Sequence, residues 1–192
     1  KFADIARHVR SSVKADEVEG YDFYVGLEHI GKKNLFLYNN GSGASVSSNK
    51  SGFEKGDLLF GKLRPYFHKV CIAPCQGICS TDILAFRAKS NSLHSYMTLT
   101  AFTEKFVDYA NLRSTGTRMP RASVKDMLAY AIPLPSGELL GSFDCILAPM
   151  WKKGMESVKN GHKLSDLRDT LLPKLLSGQL RIPNAENFFK DA

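Results

Sequence analysis

The chain has 192 residues, 43% of them hydrophobic, enough to bury the core of one domain of ordinary size and carry an appendage. No run of about 18 apolar residues occurs, so no membrane span is expected, and the start "KFADIARHVR" lacks the apolar centre of a secretion signal. The net charge of +7 speaks against acidic or neutral surface classes and for a polyanionic partner.

In chain order, Phe2, Ile5, Ala6 and Val9 share one helical face and predict a helix over 2–14. "YDFYVGLEHI" (21–30) reads as a short strand entering a loop, and "NLFLYN" as a second strand. "NNGSGASVSSNKSG" (39–52) reads as an exposed loop. After the turn "EKGD", "LLFGKL" reads as a strand broken by "RPY". "YFHKVCIA" follows with alternating faces, then the turn "PCQG", then "ICSTDILAFRAK". Three strands within about thirty residues predict an antiparallel meander. "SYMTLTAFTEKFVDYANLR" (95–113) sets Met97, Leu99, Phe102, Phe106 and Val107 at helical spacing, a helix of about four turns. "STGTRMPRASVKDM" reads as a polar, basic loop with Ser123 placed to cap a short helix. "LAYAIPLPSG" (128–137) reads as a last strand ended by prolines.

From Gly137 the pattern changes to helix, with Ser136 as its cap and Glu138 in its first turn. Leu140, Phe143, Leu147 and Met150 step by three and four, a seam. Pro149 predicts a kink or a restart, and Gly154 and Gly161 weaken the middle. The seam resumes with Leu164, Leu167, Leu171 and Leu175, and Gly178 is a natural C-cap. Roughly forty residues of helix with no second layer call for a partner helix. The expected organisation is a domain over 1–136, a long helix over 137–178 and a tail over 179–192 without clear periodicity.

Groups suited to catalysis are scarce. There is no glycine-rich phosphate loop and no H-E-x-x-H, G-x-S-x-G or zinc-deaminase signature, and "LYNNG" (37–41) only superficially suggests a methyltransferase box. No catalytic residue, cofactor or metal is expected. Cys71, Cys75 and Cys79 have C-x3-C-x3-C spacing, but the second pair of a structural zinc site is missing; with Cys145 they read as free thiols of a reducing, cytoplasmic compartment. His8, His29, His68, His94 and His162 are scattered. A Cys79–His68 pair lacks a third, orienting group.

The basic charge is concentrated. Residues 61–125 hold ten basic side chains (Lys62, Arg64, Lys69, Arg87, Lys89, Lys105, Arg113, Arg118, Arg121 and Lys125) against Asp82, Glu104 and Asp108, which accounts for the whole excess. Such a patch fits nucleic acid. In "RSTGTRMPR", Arg113, Arg118 and Arg121 alternate with Thr115, Gly116 and Thr117. Small residues let backbone N–H groups approach phosphate, and arginines read guanine edges. In the hairpin, Lys62 and Arg64 flank Leu63; if the strand continues through them, both oppose the leucine, with Tyr66 and Lys69 nearby.

"YVGLEHI", "GDLLFGKLRPYFHKV", "GICSTDILAFR", "STGTRMPRASVKDM", "IPLP" and "LSDLRDTLLPKLLSGQL", in that order, resemble the specificity subunit of type I restriction-modification systems. The resemblance covers nearly the whole chain and implies an α+β fold: a target recognition domain on a mixed or antiparallel sheet, then a long helix that pairs as an antiparallel coiled coil. It implies a non-catalytic protein that reads one half of a split double-stranded DNA target and binds methylation and restriction subunits. A full specificity subunit has two recognition domains and two helices; this chain shows one of each. It reads as the C-terminal half of a longer subunit or as a half-subunit, and "LLPKLLSGQLRIP" fits a natural C-terminus. Its seam would meet a second half or a second copy. On this reading Lys62, Arg64, Tyr66, Lys69, Arg113, Thr115, Thr117, Arg118 and Arg121 would face DNA. The alternatives are a protein-interaction module, or a fragment of a nuclease, a methyltransferase or a fused restriction-methylation enzyme.

Overall fold

The computed structural model describes residues 1–180, so most of the tail expected over 179–192 lies outside the described residues. The chain divides into two compact units, Lys1–Met155 and a second that begins at Glu156. In chain order the elements are α1 (Phe2–Ile5), β1 (Ala6–His8), β2 (Ser12–Val13), β3 (Tyr24–Val25), β4 (Lys50–Phe53), β5 (Leu58–Gly61), β6 (Val70–Ile72), β7 (Gly77–Cys79), β8 (Ile83–Ala88), α2 (His94–Phe102), α3 (Glu104–Leu112), α4 (Val124–Ala129) and α5 (Gly137–Leu176).

Two four-stranded sheets carry the first unit. One has the order β1-β8-β5-β6 and is antiparallel throughout; the other has the order β2-β4-β7-β3, with only β3 and β7 parallel. This is the expected α+β class with mixed and antiparallel sheets and a long C-terminal helix. The first sheet is buried on both faces, because successive strand residues point opposite ways. Leu58, Phe60, Val70, Leu84 and Phe86 face a core shared with Phe2, Met97, Phe106 and Met127 of the helices. Their neighbours Leu59, Cys71, Ile83 and Ala85 face a second core shared with Val25, Phe53 and Cys79. Burial drives the Cys71 thiol pKa far up and that of Cys79 to about 12, so both sit in the core as neutral thiols.

Several expectations change. The helix over 2–14 shrinks to one turn, because Ala6–His8 pairs with Phe86–Ala88 at the sheet edge. "NLFLYN" forms only an isolated bridge at Phe36; Leu35 and Leu37 enter the two different cores. The meander is absent: β5 lies between β6 and β8. "ICSTDILAFRAK" splits at Ser80, whose Oγ accepts from Asp82 N, so that β7 joins one sheet and β8 the other. The helix over 95–113 becomes two, because Thr103 stops α2 in an extended conformation and its Oγ1 accepts from Phe106 N to cap α3. Ser123 caps α4 as expected. "LAYAIPLPSG" is no strand: α4 runs to Ala129, and Phe2 N reaches the Tyr130 carbonyl.

Helix α5 is one uninterrupted helix of 40 residues through Pro149, without the expected restart. Ser136 caps it, its carbonyl accepting from Leu140 N and its Oγ from Leu139 N. Within the first unit, Asp144 accepts from the backbone N and hydroxyl of Ser95 in the first turn of α2, and Trp151 Nε1 donates to the same hydroxyl at 2.9 Å. Ser95 is fully buried, so this junction is a satisfied polar network. Gly154 lies against the Phe36 ring, which packs on Trp151. The glycine that weakens the helix in sequence is a point of close approach. In the second unit, Leu164, Leu167, Leu171, Leu172 and Leu176 are exposed, and Gly178 adopts φ +73° where the helix ends.

Candidate nucleic-acid interface

The two basic segments meet in the fold. Strand β5 ends at Gly61, yet the chain beyond it stays paired. Lys62 N donates to the Asp82 carbonyl, Ala122 N to the Lys62 carbonyl and Arg64 N to the Pro120 carbonyl, each at 2.8–2.9 Å. Leu63 bridges Arg121, and Thr115 and Arg121 exchange both backbone hydrogen bonds. Residues 62–64, 113–122 and the β7–β8 turn thus form one rim. Gly116 turns its tip at φ +101°, a conformation that favours glycine.

The cations of this rim differ in their commitments. Arg121 holds Asp82 through two hydrogen bonds, Nε–Oδ1 at 2.9 Å and Nη2–Oδ2 at 3.3 Å, and this pairing raises its pKa. Lys69 Nζ donates to the Leu27 carbonyl at 2.6 Å. Arg64 Nη2 reaches the Arg118 carbonyl at 3.4 Å, while its Nε is buried without a partner among the described residues. Arg113 lies over the Tyr109 ring, 5.7 Å from its centroid. Arg118, Thr115 and Thr117 are exposed. His8 is held below its ordinary pKa first by burial, then by the positive charges of Arg10 and Lys62, so Arg10 joins the basic surface.

Between these cations the chain is strained. "YFHKVCIA" is not one strand: Pro65–Phe67 is a 3-10 turn, flanked by Arg64 and His68, both at φ +51°. Left-handed residues other than glycine cost free energy and persist only where the surroundings hold them. His68 is buried against Phe102, and its carbonyl accepts from Lys33 N, itself left-handed. The turn presents Tyr66 and Phe67 to solvent, 48% and 41% exposed, with ring centroids 4.7 Å apart. Phe67, Met119 and Arg10 are missing from the sequence-based set. An exposed aromatic pair beside arginines is the signal that names Phe67, but "YFHKVCIA" has strand alternation, which hides it.

The helix residues are spread along α5. Leu140 is buried within the chain, Phe143, Leu147 and Leu175 are half-buried, and Met150, Leu164, Leu167 and Leu171 are exposed. Among the described residues no group of His, Cys, Asp and Glu could hold a metal ion, and no helix is long and apolar enough to cross a membrane.

No family model matches the chain. Over 90 residues it is 31% identical to the type I restriction enzyme EcoDI specificity subunit of Escherichia coli, a stretch that is 47% of this chain and 20% of that protein. Over 67 residues it is 33% identical to the type I restriction enzyme MjaIX specificity subunit of Methanocaldococcus jannaschii, 35% of this chain and 16% of that protein. The fold matches the HsdS subunit from Thermoanaerobacter tengcongensis with a TM-score of 0.59 at 17% identity, over 96% of this chain and 49% of that one. It also matches a chain from a structure of type I R-M complex assembly and conformational transition, with a TM-score of 0.60 at 18% identity, over 94% and 51%. At such identities the structural likeness shows the fold alone. The chain spans about half of these solved chains, and its matched segments cover a fifth or less of the curated relatives. The resemblance read from the motifs is borne out: the chain is similar to type I restriction specificity subunits.

Proposed function

We propose that the chain is a non-catalytic DNA-recognition module, one half of a specificity subunit, that reads one half of a bipartite double-stranded target. The observation that carries this reading is the convergence of the 62–69 and 113–122 segments into one cationic rim, in a chain similar to specificity subunits. Phosphate contact by Lys62, Arg113 and Arg118 would set affinity and position, and contacts to base edges would set sequence. The organisation that goes with it is a recognition domain over 1–136 followed by an assembly helix over 137–178. Exposed Met150, Leu164, Leu167 and Leu171 on α5 supply apolar surface for an antiparallel partner helix, from a second copy or a second half. Two-fold pairing would impose a palindromic, interrupted target. In this reading the chain docks onto methylation and restriction subunits and carries no chemistry of its own.

The test is selection from a randomised duplex library with the full chain, followed by equilibrium binding. Enrichment of one sequence, bound at least about a thousandfold more tightly than random duplex, supports the reading. Binding that depends on salt but not on sequence defeats it, as does cleavage or methylation of DNA by the chain alone.

A further inference from the structure

The rim contains one feature that phosphate binding does not use. A cavity of about 210 Å³ opens beside the 3-10 turn, lined by Leu27, Leu63, Phe67, Met119 and the flanks of Arg64 and Lys69. Its walls are hydrocarbon, and Arg64 Nε, the polar atom of its lining left unpaired among the described residues, is buried away from solvent. Lys69 Nζ is bonded to the Leu27 carbonyl and Arg64 Nη2 to the Arg118 carbonyl. Phe67 and Met119 are 41% and 48% exposed at its mouth. The outer wall is built in advance, because the left-handed residues Arg64 and His68 hold the turn that carries Phe67.

We infer that this cavity receives the 5-methyl group of a thymine in the major groove and so fixes one base of the target. The inference rests on the DNA-recognition reading above. The choice of occupant follows from charge and chemistry. The cavity is lined in part by Arg64 and Lys69, and Arg64 reaches Arg118, so a polyanion is favoured beside it. On duplex DNA the thymine methyl is the apolar group that a base edge offers to the major groove; the other groups there are hydrogen-bond donors and acceptors. Those would lose water without finding partners on hydrocarbon walls. The volume is several times the roughly 30 Å³ that one water occupies, room for the methyl and the pyrimidine edge that bears it.

The experiment starts from the selected duplex and replaces each thymine in turn by uracil, which deletes the methyl and nothing else. One position should lose about fourfold in affinity, the factor that burial of one methyl group is worth. In Met119→Ala and, separately, Phe67→Ala, melting like the wild type, that loss should fall below about twofold while DNA binding persists. Uracil tolerated at every thymine overturns the assignment and leaves the cavity to an apolar side chain of a protein partner. So does a uracil penalty that is unchanged in both variants. Selection of no sequence at all removes the DNA reading itself, and this inference with it; a selected sequence indifferent to uracil removes only the cavity's role.

Discussion

Asp82 sits in the cationic rim with a carboxylate that Arg121 neutralises through two hydrogen bonds. Asp82→Asn removes a negative charge from the rim proposed to face DNA and frees the Arg121 guanidinium for a phosphate. One added phosphate contact steepens the slope of log affinity against log salt by about 0.9. Over a fourfold rise in salt that slope costs about 3.5-fold in affinity, so the variant should bind more tightly than the wild type at low salt and lose more on titration. Arg118 has no side-chain partner among the described residues, so Arg118→Ala should make the slope shallower by about 0.9. Arg121→Ala should weaken binding at low salt, because it leaves the Asp82 carboxylate unpaired beside the phosphates. Adding Asp82→Asn to Arg121→Ala should restore affinity to the wild-type level, because the pair removed is neutral and makes no phosphate contact. The assay is fluorescence anisotropy on the selected duplex at several salt concentrations. Wild-type slopes in both Asp82→Asn and Arg118→Ala would show that the rim does not face phosphate and refute the reasoning.

Two glycines of α5 should respond in opposite directions. A Cβ at Gly141 meets nothing within 4 Å, so Gly141→Ala should gain about 1 kcal/mol of helix propensity and raise Tm by about 2–4 °C. A Cβ at Gly154 would overlap the Phe36 ring packed on Trp151, so Gly154→Ala should lower Tm, the displacement costing more than the propensity returns; a higher Tm in both variants refutes the close approach. Burial holds the His68 pKa below 6.5, so the unfolded chain binds a proton that the folded chain refuses. Stability is therefore full above pH 6.5 and falls as pH drops below it, and urea titrations at several pH values should show a weaker dependence in His68→Asn, which tolerates the left-handed backbone. Leu167→Asp with Leu171→Asp should give a monomer by light scattering with an unchanged first unit; a dimer of unchanged mass would sink the helix-pairing proposal.

Much of the architecture is legible locally. The caps at Ser123 and Ser136, the glycine at 178 and the helix after Gly137 follow from residues that satisfy or end a helix on their own. The motifs of the hairpin and the terminal helix also carry the resemblance. Two of the errors share one cause. Ala6–His8 reads as helix and becomes an edge strand, while Leu35–Leu37 reads as strand and only edges the sheet. In both, the backbone's partners lie far away in sequence, and pairing with β6 or β8 overrides local preference.

The candidate site divides in the same way. Its cations were visible in sequence because the whole charge excess falls within residues 61–125. The placement of charge along the chain and the spacing of its apolar residues determined that a polyanion-binding surface and a helix with an unpartnered leucine seam were to be expected. Only the tertiary structure decided that residues 62–64 pair with 120–122, that Arg121 is tied to Asp82, and that Phe67 and Met119 frame an apolar cavity. The physical reason is that charge and periodicity are properties of a segment. A shared hydrogen bond, an ion pair or a cavity wall belongs to two segments at once, and exists only when the fold has brought them together.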